Sequence, residues 1–309
     1  MRFWFFNRAV VSAFIQSLSL APSSRGRMYP IKQNVCSPSH IAFVDGEVLK
    51  HHAGYIKPSE IERRLNLISL DALNSLFLQP LSQKPQLDGG CALTIWPHAT
   101  PFNPDSSSQD VPWNECAAHL AALHNADLDP GRIVLTSGWL PRLSRSLAKL
   151  RGMLECAERS LILEASQTLP HFSCSSWNLS QNSIIHGDWH PGQMVYFENR
   201  LVFIDIDDVG LGNRMFDLAK PAAFFLSGLL ESNLWNEFRE SYENSCQMAK
   251  VNRDHFWKDL ELPARASVIQ SAITALAHAS ESDRKLADFE AELIKTCQRV
   301  TQCYSRRIV

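Results

Sequence analysis

The order of apolar and polar positions divides the chain into a strand-forming front and a long helical back. His40 to Val44 and Glu47 to Lys50 are strand-like runs on either side of Asp45-Gly46, and Asp-Gly between two such runs predicts a tight hairpin. Pro58-Ser59-Glu60-Ile61 opens a helix, with proline in the first turn and acids beside its positive end. Cys91 to Pro97 is another β-type run, stopped by proline. Residues 98–112 carry three prolines and a Ser106-Ser107-Ser108 run and read as a linker. From Pro112 onward the period is that of buried helices: Trp113, Cys116, Leu120 and Leu123, then Leu140, Leu143, Leu147, Leu150 and Leu154. Met194 to Phe197 and Leu201 to Ile204 are strand-like again, with polar Glu198-Asn199-Arg200 between them, which predicts a second hairpin. After residue 221 the spacing is helical, with Ile269, Ile273 and Leu276, then Leu286, Phe289, Leu293, Cys297 and Val300.

Composition narrows the class. A chain of 309 residues with 45 % hydrophobic and 20 % charged positions is a globular protein with room for two lobes. A net charge of −2 gives no general attraction to nucleic acid or to an anionic membrane. On the helix around Leu147, Arg142, Arg145, Lys149 and Arg151 read as a solvated face, with no interleaved aromatics to suggest RNA binding. The eight cysteines show no CxxC and no zinc spacing, which reads as reduced, mostly buried thiols in a cytoplasmic protein. Residues 1–27 have the outline of a presequence, Arg2 and Arg8 preceding Ala9 to Ile15. Gln16, Ser17 and Ser19 dilute that run, and it is too short to span a bilayer. The reading is an N-terminal helix or extension, or translated sequence upstream of a start at Met28.

The chemistry concentrates in residues 184–220. The hairpin over 194–204 folds back on itself and so brings Asp188, just before it, beside Asp205, just after it. Two carboxylates at such a place repel unless a cation lies between them or one takes up a proton. An oxygen-rich site of that kind suits magnesium. On the residues alone His186 is a core histidine, Asp207 a solvated loop acid, and Asp217 an acid favoured by a helix N-terminus.

The same stretch closely resembles the signature of the aminoglycoside phosphotransferase and choline kinase family, relatives of the protein kinases. The matching residues are His186-Gly187-Asp188-Trp189-His190-Pro191-Gly192-Gln193, then Ile204-Asp205, Asp208, Gly210, Gly212 and Asp217-Leu218-Ala219. The resemblance implies an α+β, protein-kinase-like, two-lobed fold. A small β-rich N-lobe over 28–97 would take the nucleotide, 98–112 would link the lobes, and a larger, mostly helical C-lobe over 113–309 would carry the catalytic and acceptor groups. It implies transfer of the γ-phosphate of ATP, with Mg2+, to a hydroxyl of a small molecule, with neither nucleic acid nor membrane as partner. Asp188 would be the catalytic carboxylate, and Asp205 and Gln193 the metal ligands. Gln193 stands where the family more often has Asn.

In the N-lobe, Lys50 would hold the α- and β-phosphates, with Lys57 as the alternative if the strand register differs. Glu60 and Glu62 are both candidates to pair with that lysine. Cys91 to Pro97 resembles the strand leading to the hinge, which would set Ile95 and Trp96 beside adenine; Trp96 packing the lobes together is the other reading. His186 would support the catalytic loop and Asp217 would brace it. Glu231, Glu240 and Glu243 would suit a cationic acceptor and are equally ordinary surface acids.

Two departures stand out. Asn213-Arg214 replaces the family's Asp-Pro, and no GxGxxG precedes Lys50. Together with Gln193, the missing glycine loop motivates an alternative, a catalytically inactive nucleotide-binding pseudokinase or scaffold. The GDWH run also resembles a phosphoesterase metal motif, but that chemistry needs further ligands, and only His255 and His278 follow His190.

Overall fold

The computed structural model describes residues 40–44, 46–101, 110–129, 133, 135–177, 183–246 and 253–308. The extension expected over 1–27, Asp45 of the first turn and the middle of the linker (102–109) lie outside the described residues.

Strands β1 (His40–Val44) and β2 (Glu47–His51) form the expected hairpin, with Val44 opposite Glu47. Gly46 sits at φ +84°, a conformation glycine adopts without steric cost. β4 (Cys91–Pro97) lies on the other flank of β2 with Thr94 opposite Lys50, and β3 (Gln86–Asp88) closes the antiparallel sheet in the order β1-β2-β4-β3. Helix α1 (Pro58–Ile68) begins at its proline and buries Ile61, Leu65 and Ile68 completely, the three-and-four spacing of its apolar stripe.

The rest of the described chain is mostly helical: α2 (Trp113–His124), α3 (Trp139–Gly152), α4 (Ala157–Ser166), α5 (Met215–Leu226), α6 (Ser232–Ser245), α7 (Arg253–Glu281) and α8 (Asp288–Ile308). Inserted among them are β5 (Thr100–Pro101), which pairs with the hairpin β7 (Met194–Phe197) and β8 (Arg200–Phe203), and the pair β6 (Ser183–Ile185) and β9 (Gly210–Gly212). The β7–β8 turn is two residues long, Glu198 at φ +49° and Asn199 at φ +59°. Positive φ at both positions is the type I′ geometry whose twist matches the flanking strands. Leu154 departs from the expected stripe. Gly152 is the last residue of α3, Met153 is extended, and Leu154 is 88 % exposed.

One buried core runs through both lobes, joining Ile61, Leu65 and Trp96 to Leu120, Trp189 and Phe238. A second lies among α3, α4, α5, α7 and α8, around Leu143, Ile162, Ile269 and Leu293. The thiol expectation holds at Cys116, Cys246 and Cys297, which are free and buried, whereas Cys156, Cys174 and Cys303 are free and exposed. Cys91 is disulfide-bonded, which its spacing does not foreshadow. No helix among the described residues is long and apolar enough to cross a membrane.

Phe238 of α6 stacks on Trp189, the residue after Asp188, with ring centroids 5.2 Å apart, and Trp113 meets it edge-on at 6.0 Å. Because Phe238 is fully buried, Phe238→Ala should cost about 3–5 kcal/mol of unfolding free energy, read from urea titration.

Candidate active site

The loop carrying Asp188 is held by a buried carboxylate. Asp217, at the start of α5 and fully buried, accepts the backbone N–H of His186 at 2.7 Å and of Gly187 at 2.8 Å. His124 Nε2 lies 3.0 Å from the same group, and its Nδ1 lies 2.6 Å from the Tyr242 hydroxyl. His186 bonds the Ile204 carbonyl through Nε2 at 2.8 Å, so the first motif is tied to the second. Gly187 takes φ +80°, and a Cβ there would fall 2.3 Å from the Asp208 carbonyl oxygen. Glycine is thus required both by conformation and by the closeness of the two loops.

On the sheet side, Lys50 is 7 % exposed and bonds Asp205 Oδ1 at 2.6 Å and Asp207 Oδ1 at 3.0 Å. His52 joins the set, with Nδ1 2.6 Å from Asp207 and Nε2 2.8 Å from Thr94 Oγ1. Burial works against the charge on Lys50, but the adjacent Asp205 and Asp207 outweigh it and hold the ammonium above the ordinary lysine range. Burial likewise opposes ionisation of Asp207, and Lys50 and His52 outweigh it, so its carboxyl lies below the usual range. Asp205 itself sits at φ +61°, an uncommon conformation for a residue with a side chain and one that recurs at functional sites. Its Oδ2 accepts from the Gln193 amide at 3.3 Å.

Asp188 faces a different pair of cations. Lys220 Nζ is 2.6 Å from its Oδ1, and Arg142 Nη1 contacts its Oδ2. The same guanidinium lies 3.3 Å from Asp208 and donates to the Gly187 carbonyl. Burial alone would raise the Asp188 pKa, yet Arg142 and Lys220 drive it well below the usual carboxylate range. Asp208 moves the other way, pushed up by burial and by the neighbouring acids despite Arg142. Burial lowers Lys220, partly offset by Asp188.

The expected site residues fall into three groups. Lys50, Gln193 and Asp205 come together; Asp188, His186 and Asp217 form the adjoining loop and its support. Glu62 and Glu60 stay outside: no ion pair joins either to Lys50 among the described residues, and Glu60 lies 3.5 Å from Arg64 instead. Lys57 is exposed at the start of α1. Ile95 is half-buried in β4 and its carbonyl accepts from Leu81, while Trp96 is buried and donates to Thr94 Oγ1 at 2.7 Å.

Five residues contradict or escape the reading of the chain, among them His52, which nothing in its place after β2 marks. Asp207 is not a solvated acid, its side chain being 14 % exposed and shared between Lys50 and His52. Arg142 is not on a solvated face, because α3 turns it onto Asp188. Lys220 carries no signal beyond its place after Asp217. Arg64, within the helix that Pro58 opens, is buried and donates to the Val209 carbonyl at 3.2 Å, linking α1 to the loop after Asp208.

Two oxygen-bearing side chains could hold a cation. Asp205 is the most open of these acids at 31 % side-chain exposure, and a turn of the Gln193 amide would present its oxygen to the same place. Among the described residues no three His, Cys, Asp or Glu side chains are grouped to hold a metal unaided. That donor set fits magnesium, which binds through one or two protein oxygens and keeps the rest for water and phosphate.

The phosphotransferase enzyme family (APH) matches the chain over residues 86–245, just over half its length. The chain belongs to this family. No curated protein sequence matches this phosphotransferase family member. Solved structures resemble it over most of its length. Choline kinase from Cryptosporidium parvum Iowa II is 14 % identical with a TM-score of 0.56, covering 85 % of this chain and 82 % of that one. A choline/ethanolamine kinase family protein from Mesorhizobium loti is 14 % identical with a TM-score of 0.53, over 96 % and 97 %. Spectinomycin phosphotransferase, solved with ADP and spectinomycin, is 13 % identical with a TM-score of 0.50, over 89 % and 92 %. At these identities the likeness establishes the fold, which is the protein-kinase-like α+β architecture.

Burial lowers the pKa of His119, of His124 and, most strongly, of His190. The unfolded chain takes up protons at these imidazoles below about pH 6.5, where the folded one does not. Stability is therefore full above that pH and lost as pH falls through it, and the urea midpoint should drop between pH 7.5 and 5.5. Asp188, whose pKa is depressed, adds its loss only at far lower pH. A flat midpoint across that window would contradict neutral buried imidazoles.

Proposed function

We propose that this phosphotransferase family member moves the γ-phosphate of ATP, with magnesium, to a hydroxyl of a small molecule. The observation that carries this reading is the pairing of each motif's acid with a cation: Lys50 meets Asp205 on the sheet side, while Arg142 and Lys220 meet Asp188. Residues 28–97 then form the lobe over the nucleotide, 98–112 the connection, and 113–309 the lobe that holds the acceptor. Lys50 anchors the α- and β-phosphates. Asp205 and Gln193 would hold the magnesium, which neutralises charge on the phosphate oxygens. Asp188 orients the acceptor hydroxyl and takes its proton while the acceptor oxygen bonds to phosphorus. The bond from phosphorus to the bridging oxygen breaks, and ADP leaves with the electron pair. Such chemistry asks mainly for positioning and charge neutralisation, which a few fixed side chains supply. Family membership and fold support the reading. The presence of both Asp188 and Asp205 speaks against an inactive scaffold.

The test is acceptor-dependent release of ADP, with and without magnesium, across a panel of alcohols. Asp188→Ala should lower kcat by about 10²–10⁴-fold while ATP still binds. Asp205→Ala should remove the magnesium-dependent part of the affinity for ATP. Acceptor-dependent turnover that survives Asp188→Ala, or unchanged magnesium-dependent affinity in Asp205→Ala, would overturn the corresponding role.

A further inference from the structure

Asp188 is met by two cations that lie in neither loop motif. Arg142 comes from the first turn of α3 and Lys220 from α5, three residues after Asp217. Each has a side chain only 18 % exposed, and burying two such charges side by side is costly unless something repays it. One cation would suffice to orient a carboxylate. Two cancel its field and weaken its hold on a proton, which is a handicap for a group that must accept one from a hydroxyl. Arg142 also has more donors than these partners use: its Nε is buried with no hydrogen-bond partner. A third cation lies close by, the Arg145 guanidinium resting 4.2 Å from the centre of the Tyr55 ring. Tyr55 is 63 % exposed and lies within electrostatic reach of Arg142, Asp207 and Asp208, so this group of charges borders the surface.

We propose that the acceptor carries an anionic group, a carboxylate or a phosphate, beside the hydroxyl that is phosphorylated, and that Arg142 and Lys220 bind it. The inference rests on the phosphotransferase reading above. An anion at this place takes over N–H donors now spent on Asp188, and the freed carboxylate regains affinity for the hydroxyl proton as the acceptor arrives. A cationic acceptor meets two like charges there. Neither nearby carboxylate is spare to receive it, because Arg142 engages both Asp188 and Asp208. Charge complementarity of this kind selects partners through repulsion as much as through attraction.

The test uses the full chain with magnesium-ATP and matched acceptors: glycerate and glycerol 3-phosphate as the two anionic arms, glycerol as the neutral one, choline and ethanolamine as the cationic ones. The expected result is a higher kcat/KM for an anionic arm than for glycerol or either amine, and the better anionic arm tells carboxylate from phosphate. Arg142→Gln and Lys220→Gln should each lower that anionic kcat/KM by about 100-fold. Because both side chains also hold Asp188, glycerol turnover should fall as well, but by clearly less than the anionic kcat/KM, and Arg142→Lys should restore part of that difference. A purely structural role would lower every acceptor alike. That outcome overturns the proposal, as does a higher kcat/KM for choline or ethanolamine than for both anions. If no acceptor releases ADP, the transferase reading fails by itself. Calorimetry of glycerate and glycerol 3-phosphate then decides the anion site: binding lost in Arg142→Gln supports it, and no binding of either overturns it.

Discussion

A single desolvated ammonium ties the sheet to the acidic loop after β8. Lys50 belongs to β2, whereas both of its partners, Asp205 and Asp207, follow β8 far along the chain. Burying a lone lysine would be prohibitive, and the contact persists because two carboxylates share it, while His52 bonds Asp207 through Nδ1 and Thr94 through Nε2. Removing one member of such a set leaves an uncompensated charge, a loss of about 3–5 kcal/mol for buried pairs in general. The relative position of sheet and loops therefore depends on electrostatics as much as on the shared apolar core.

A second buried ion does the same for the loop that follows β6. Asp217 replaces solvent with two backbone N–H groups and an imidazole, so its charge is satisfied without water. The chain from α2 through His124 and from α6 through Tyr242 meets at this carboxylate. Packing of remote helices is in this way converted into the placement of Asp188. The aromatic contact between Phe238 and Trp189 supports the other side of the same loop.

Much of this was legible in the chain, and the failures have a common cause. Hairpins and helix openings are local: Asp45-Gly46, Glu198-Asn199 and Pro58 act through their own backbone preferences, and the structure has elements where they indicate. The two acidic motifs are also nearly local, joined by one short hairpin. Arg142, Lys220, Arg64 and His52 act across large separations in sequence. Periodicity sees a cation on a helix and assigns it to water, because only the tertiary arrangement reveals a carboxylate opposite. Asp207 escapes for the same reason, its partners Lys50 and His52 lying far back in the chain. No acid of α1 pairs with Lys50 among the described residues; α1 instead reaches the loop after Asp208 through Arg64 and the Val209 carbonyl.

Gly138 adds a mechanical consequence. It precedes α3, its N–H bonds the Asp208 carbonyl at 3.0 Å, and a Cβ there would lie 1.7 Å from Asp208 Oδ1. With no slack at that point, α3 cannot slide or roll without displacing the turn that also carries Asp205. Arg142, one helical turn further on, inherits this gearing. Whatever settles that turn also sets the reach of the guanidinium, which contacts Asp208 itself, so the two loops and α3 are indexed to each other like meshed teeth.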